Sequence, residues 1–272
     1  MGEIAKRSLD QNEAYGSVRL YVLDCGRIDG VTAEEFGFRH GEIPSDMFTP
    51  CFLVVHPKGA LLWDTGEIPD SALDDAGPTT DRSFTVSKPL LPQLAAIGYT
   101  PSDINYLALS HYHNDHVANA NAFAGCTWLV QRAERDAMFG QPDPERNGPI
   151  LPNRSFFSAL ESTPTVIIDN QDHDVFGDGK VVLKFTPGHT PGHQSLFVRF
   201  DRGRPVLISG DLYHYPAEVN RHASFVNHLS NERTTLSRRA IESFVQNEGA
   251  ELWIQHDAAH AAILRKCPAF YD

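Results

Sequence analysis

The chain contains no uninterrupted run of roughly eighteen apolar residues, the length a membrane-spanning helix needs. Its opening, MGEIAKRSLDQNEAYG, has no apolar stretch of signal-peptide length, so the expectation is a cytoplasmic protein with no membrane partner. Cysteine is scarce: Cys25, Cys51, Cys126 and Cys267 lie far apart, with neither a C-x-x-C pair nor the dense spacing of a secreted disulfide scaffold. Reduced, buried thiols without chemistry are expected there. Positive charge is also short. With 23 Lys and Arg against 35 Asp and Glu, the formal charge of -12 leaves no cationic footprint for a nucleic-acid partner. No linker, short repeat or low-complexity tract interrupts the 272 residues, and 41% of them are hydrophobic. That is enough for one domain over residues 1–272 with a substantial core.

What is abundant is histidine. Thirteen imidazoles could mean only a polar surface or satisfied core side chains, so their placement decides. Residues 51–65, CFLVVHPKGALLWDT, are two apolar runs joined by a Pro-Lys-Gly turn, a strong hairpin signal. SLFVRFDRGRPVLISGDL, residues 195–212, repeats that pattern and also ends in an acid. INYLALSHYH (104–113) and KVVLKFTPGH (180–189) are each a β-rich run that stops at a histidine, so the two halves read as structural duplicates. Helices are expected at 87–98, 131–140 and 233–249, the last with Leu236, Ala240, Ile241, Phe244 and Val245 on one apolar face and Gly249 as its stop. Strand-rich blocks alternating with isolated helices predict two packed sheets with helices on the outer faces. Residues 141–158 read as a long loop, either plain surface or part of a substrate wall. Trp63, Trp128 and Trp253, each flanked by apolar residues, are expected in the core.

The sharpest signal follows the strand at Tyr106: His111-Tyr-His113-Asn-Asp115-His116 places four potential metal ligands within six residues. His111 and His113 can project from one side of an extended segment while Asp115 and His116 turn towards a neighbouring position. Further candidate ligands sit at strand ends: His189 after KVVLKFTPG, Asp211 after RPVLISG and His256 after ELWIQ. Together they exceed the needs of one tetrahedral site and imply a second ion. Imidazole and carboxylate without thiolate favour zinc and also admit manganese, iron or cobalt. Two such ions about 3.5–4 Å apart lower the pKa of a shared water and polarise a carbonyl, so a hydroxide made between them needs no protein nucleophile.

At these residues the chain resembles the metallo-β-lactamase superfamily, whose mark is H-x-H-x-D-H followed by a later His, an Asp and a final His on successive strand ends. The resemblance runs from about residue 51 to 257. It implies an α/β fold, the αβ/βα sandwich, with the site at the common edge of two mixed sheets. It also implies His111, His113 and His189 on one ion, Asp115, His116 and His256 on the other, and Asp211 bridging both. His193, four residues beyond His189, competes for that ligand role and is favoured as a support for a ligand. Asp64 ends a strand as Asp211 does, and either supports a metal-binding histidine or makes ordinary turn hydrogen bonds. His40, His56, His173, His222 and His228 have no partner spacing and are expected on surface or loops, with His260 exposed.

Within the superfamily the chain is most similar to the N-acyl-homoserine lactonases that silence bacterial quorum signals. The cues are NANAFAGCTWLVQRAE (119–134), GDLYHYP (210–216) and Gln255-His256-Asp257. These lactonases place a tyrosine three residues after the bridging aspartate, whereas here that position is His214, between Tyr213 and Tyr215. Asp115, Tyr213 and His214 are the candidates for the catalytic proton or hydrogen bond. The small-molecule partner implied is a lactone; another lactone, a thioester as in glyoxalase II, or a β-lactam are the alternatives. A homodimer is carried as an option for the assembly.

Overall fold

The computed structural model describes residues 16–73, 83–86, 88–141, 151–219 and 228–272. Among these the strands run β1 (Arg19–Asp29), β2 (Asp46–His56), β3 (Gly59–Trp63), β4 (Ser83–Thr85), β5 (Tyr106–Ala108), β6 (Thr127–Gln131) and β7 (Thr165–Ile168). They continue with β8 (His173–Asp174), β9 (Val181–Phe185), β10 (Gln194–Val198), β11 (Val206–Ile208), β12 (Glu251–Trp253) and β13 (Phe270–Tyr271). The α-helices are α1 (Leu90–Ala96), α2 (Asn114–Val117), α3 (Arg132–Phe139), α4 (Asn231–Glu248) and α5 (Ala258–Ile263). One sheet has the order β13-β1-β2-β3-β5-β6-β7, with β4 beside β1, and the other β12-β11-β10-β9-β8.

Both sequence hairpins form. β2 and β3 pair antiparallel with Phe52 opposite Trp63, and β10 pairs with β11 with Leu196 opposite Ile208. Period-two alternation sorts each strand between two environments. Phe52 and Val54 of β2 point inward with Leu183, Leu196 and Ile208 of the opposite sheet, whereas Leu53 and Val55 face outward against Leu90 and Leu94 of α1. On the far side Ile241 of α4 packs over Phe197 and Leu207. The result is the expected sandwich of two mixed sheets with helices outside. Trp63, Trp128 and Trp253 are all buried, and Cys25, Cys51 and Cys126 are buried free thiols, with Cys267 half-buried.

Where the strands run parallel their C-terminal ends align, and this is what gathers the candidate ligands. β3, β5 and β6 are parallel neighbours, as are β11 and β12. The loops after β3, β5, β9, β11 and β12 then carry Asp64, the His111–His116 segment, His189, Asp211 and His256 to one edge.

Four expectations need correction: the inward face of α4, and the placement of His56, His173 and His260. The buried face of α4 is Thr234, Ser237, Arg238 and Ile241, while Leu236 is 59% exposed. The helix turns polar groups inward because it covers loop carbonyls: Ser237 donates to Pro187 O and Arg238 Nε to Leu212 O. His56 is buried, not on the surface, because its ring stacks on Phe176 at 4.1 Å and its Nε2 meets Asp178 at 2.9 Å. His40 is exposed, His173 is half-buried in β8, and His260 is half-buried against Trp253. His222 and residues 142–150 of the expected loop lie outside the described residues. Among the described residues no helix is long and apolar enough to cross a membrane.

Candidate metal centre

The segment after β5 folds so that His111 and His113 precede α2 and His116 lies within it. His189 Nε2 comes within 3.0 Å of His113 Nδ1, 3.2 Å of His111 Nε2 and 3.3 Å of Asp211 Oδ2. On the other side of the same carboxylate, Asp211 Oδ1 lies 3.1 Å from His116 Nε2 and 3.0 Å from His256 Nε2. Asp115 Oδ2 completes that second group, 3.2 Å from His116 Nε2 and 3.5 Å from His256 Nε2. Two sets of four donors thus share one aspartate, and within each set the atoms all lie within 4.8 Å of one another.

This geometry fits cations better than internal hydrogen bonding. Imidazole nitrogens packed this closely cannot all carry protons. Among the described residues the buried His116 Nε2 has no hydrogen-bond partner, although carboxylate oxygens of Asp115 and Asp211 lie 3.2 and 3.1 Å from it. The opposite ring nitrogens are tied back: His116 Nδ1 donates to Asp64 Oδ2 at 2.8 Å and His256 Nδ1 to Phe48 O at 2.8 Å. Such ties fix which nitrogen is free to ligate.

Electrostatics agree. Burial drives the His111, His113 and His189 pKa values down, which keeps these rings neutral. Burial opposes charge on Asp211 too, but His256, His116 and His111 outweigh it and hold its carboxyl well below the usual range. Neutral imidazoles beside ionised carboxylates are donors suited to a divalent metal. His116 differs: burial lowers its pKa, but the Asp115, Asp211 and Asp64 carboxylates more than offset this and raise it, the mark of a negative pocket that favours a cation.

Residues 45–244 match the family model for the Metallo-beta-lactamase superfamily. The chain belongs to the metallo-β-lactamase superfamily. Several of its relatives share a name. The N-acyl homoserine lactonase AttM of Rhizobium radiobacter is 29% identical over 270 residues, covering 93% of this chain and 98% of its own. An N-acyl homoserine lactonase of a Bacillus species is 30% identical over 217 residues, covering 76% of this chain and 80% of its own. The crystal structure of a quorum-quenching N-acyl homoserine lactone hydrolase is similar with a TM-score of 0.77 at 25% identity, over 93% of this chain and 98% of that one.

In this superfamily member the surroundings of the two sets separate candidates the sequence left together. His214 is buried, its Nε2 3.2 Å from Asp211 Oδ2. Burial lowers its pKa, but the Asp211 and Glu218 carboxylates more than offset this and raise it to about 9. Tyr213, by contrast, turns away: its hydroxyl donates to Glu242 at 2.9 Å and its ring lies under Arg238. The structure therefore does not bring Tyr213 to the site. His193 does not join either set, since its Nε2 accepts from Asp211 N at 2.9 Å while its Nδ1 lies 3.0 Å from Thr186 O. Asp64, held at φ 58, accepts from Ser110 N at 2.6 Å as well as from His116.

A cavity of about 280 Å³ opens beside Asp115, Asp211 and His214, with Ile28, Phe36, Met47 and Phe84 along its apolar flank. Sequence reasoning missed several residues here. Glu67 lines the cavity with a buried carboxylate oxygen, Oε2, that has no hydrogen-bond partner among the described residues. Gln255 donates to Asp64 Oδ2 at 2.6 Å. His228 is a correction: it is buried, with its ring 5.0 Å from His189 and 5.6 Å from His214, because Leu229 N and Ser230 N donate to His189 O and Gly188 O and hold it there. None of these carries a local pattern; only the adjacency of Gln255 to His256 could have drawn attention.

Proposed function

We propose that the protein is a cytoplasmic N-acyl-homoserine lactonase, a single hydrolase domain that holds two divalent ions, zinc first among them, and opens the lactone ring. The observation that carries this is the pair of four-donor sets joined by Asp211 at the floor of a cavity with one apolar flank. The lactonase relatives make the same substrate the first to test. In this reading His111, His113 and His189 bind one ion, Asp115, His116 and His256 the other, and Asp211 both. When bound, the ions supply Lewis acidity for the ring carbonyl and a water of lowered pKa.

The chain's own groups supply the rest. Asp64 and Phe48 O orient His116 and His256. His193 fixes the backbone of Asp211. His214 Nε2 presents an N–H beside the shared carboxylate, apt for an oxygen that gains negative charge as the ring opens. Asp115 and His214 both border the cavity and are the groups able to pass a proton to the departing ring oxygen. Ile28, Phe36, Met47 and Phe84 receive an acyl chain.

Protein purified without chelator is expected to contain about two transition-metal ions per chain. It is then assayed with acyl-homoserine lactones of several lengths, a thioester and a chromogenic β-lactam. The expected product is heavier than the lactone by one water and closes again on acidification, with the amide intact. Release of a free fatty acid and homoserine lactone would refute ring opening. Fast thioester or β-lactam hydrolysis with no lactone turnover would overturn the substrate and leave the metal centre standing.

A further inference from the structure

Asp64 and Gln255 serve the second donor set, the one containing His116 and His256. In the first set, Asp64 reaches His111 through Ser110, whose Oγ donates to Asp64 Oδ2 at 3.0 Å and lies 3.0 Å from His111 Nδ1. The two loops that carry His111, His113 and His189 are tied to one another from elsewhere in the fold. Glu134, in the first turn of α3, is buried at 2% exposure with no cation paired to it among the described residues. Its carboxylate accepts from Tyr112 N at 3.0 Å, from Thr190 Oγ1 at 2.8 and 3.0 Å, and from Gly192 N at 2.8 Å. Tyr112 lies between His111 and His113, and Thr190 follows His189. One carboxylate thus spans the loop after β5 in the first sheet and the loop after β9 in the second.

The approach is close by construction. A Cβ on Gly192 would stand 2.4 Å from Glu134 N and 2.6 Å from Glu134 Cβ, so only glycine lets the β9 loop reach the start of α3. A buried carboxylate is costly, and its hydrogen bonds offset that cost only while all the donors stay in place. Its presence therefore locks the distance between the two loops whose histidines must converge.

We propose that Glu134 is the positioning residue of the His111–His113–His189 set, the counterpart of Asp64 for the second set. It acts through the backbone on either side of the histidines, without touching an ion or the substrate. The inference rests on the two-set reading of the centre but not on the identity of the substrate, and its test measures metal affinity, so it stands or falls apart from lactonase activity.

The test uses single-set backgrounds. His256→Ala cripples the second set and His189→Ala the first, and Glu134→Gln is added to each. The substituted amide is isosteric with the native carboxylate but turns an N–H₂ towards donors that need an acceptor. Apo-proteins are titrated with Co²⁺, followed by its visible absorption, and with Zn²⁺ in competition. In the His256→Ala background, Glu134→Gln should weaken binding by about 10–100-fold, the range for residues that orient metal ligands. In the His189→Ala background it should change affinity less than about twofold. Equal weakening in both backgrounds would make Glu134 a general stabiliser and overturn the proposal, as would no change in the first. If Glu134→Gln fails to fold, as judged by circular dichroism of the apo-protein, Thr190→Val removes one donor and must show the same selectivity for the first set. Absence of that selectivity would also overturn the proposal.

Discussion

His214 and Tyr213 are adjacent in sequence and opposite in placement. The imidazole borders the cavity beside Asp211, and the phenol points at Glu242 beneath Arg238. If His214 stabilises charge on the opening ring, His214→Phe should retain both ions and lower kcat by about 100-fold or more, the cost of losing one such donor. Tyr213→Phe should leave kcat within about threefold while losing roughly 1 kcal/mol of stability with its hydrogen bond. Steady-state kinetics with an acyl-homoserine lactone, alongside metal content, separates the two; a larger loss for Tyr213→Phe would reverse the assignment. The candidate ligands could be read in the sequence because H-x-H-x-D-H is a short-range pattern and the later three end strand-like runs. Glu134 and Glu67 could not, because each meets its site across the fold, and a glutamate in QRAERDA looks like any charged residue on a helix; Gln255 is marked only by standing next to His256.

α4 shows how an element can be found and its inward face only partly foreseen: Ile241, Phe244 and Val245 pack inward as expected, whereas Leu236 and Ala240 are exposed. Its length and its end at Gly249, which adopts φ 60, follow from the sequence, but its inward face is chosen by what it covers. Arg238, fully buried, bonds Leu212 O at 2.8 Å and Glu218 Oε1 at 3.0 Å, and Glu218 in turn accepts from the backbone N–H groups of His214 and Tyr215. Hydrophobic periodicity is blind to a face built for loop carbonyls and a carboxylate. Arg238→Met should therefore destabilise the protein by about 3–5 kcal/mol, since it strands a buried charge. It should also lower turnover by loosening the His214 loop. Leu236→Ser, on the exposed face, should stay within about 0.5 kcal/mol. Denaturant unfolding of the two variants decides, and similar losses would show that Leu236 also lies on the packed face.

At the scale of the molecule, the sheets are joined at the site edge by the donor sets and also by polar contacts away from it, one of them built on His56. The β2–β3 turn brings His56 and Lys58 against the loop before β9, where Lys58 Nζ donates to Phe176 O at 2.7 Å. His56 Nδ1 accepts from Lys58 N, so the neutral ring donates from Nε2 to Asp178. Burial holds the His56 pKa below its ordinary 6.5, against the pull of Asp178. The unfolded chain therefore takes up a proton near pH 6.5 that the folded chain refuses, and the contribution, complete above that pH, is lost as pH falls below it. The thermal midpoint should drop between pH 7.5 and 5.5, measured in buffers of equal ionic strength, and His56→Gln should drop less. An identical slope in the variant would remove His56 from the account.

The same topology sets a timetable. β1 is paired at Leu20 and Tyr21 by Phe270 and Tyr271, so on the ribosome that stretch of strand edge waits about 250 residues for its partner, from Tyr21 to Phe270. At ordinary rates of synthesis this lasts on the order of tens of seconds, an interval in which a nascent chain invites foreign strands. The donor sets follow the same order of delivery. The first is whole once Asp211 has left the exit tunnel, and the second must wait 45 residues more, for His256.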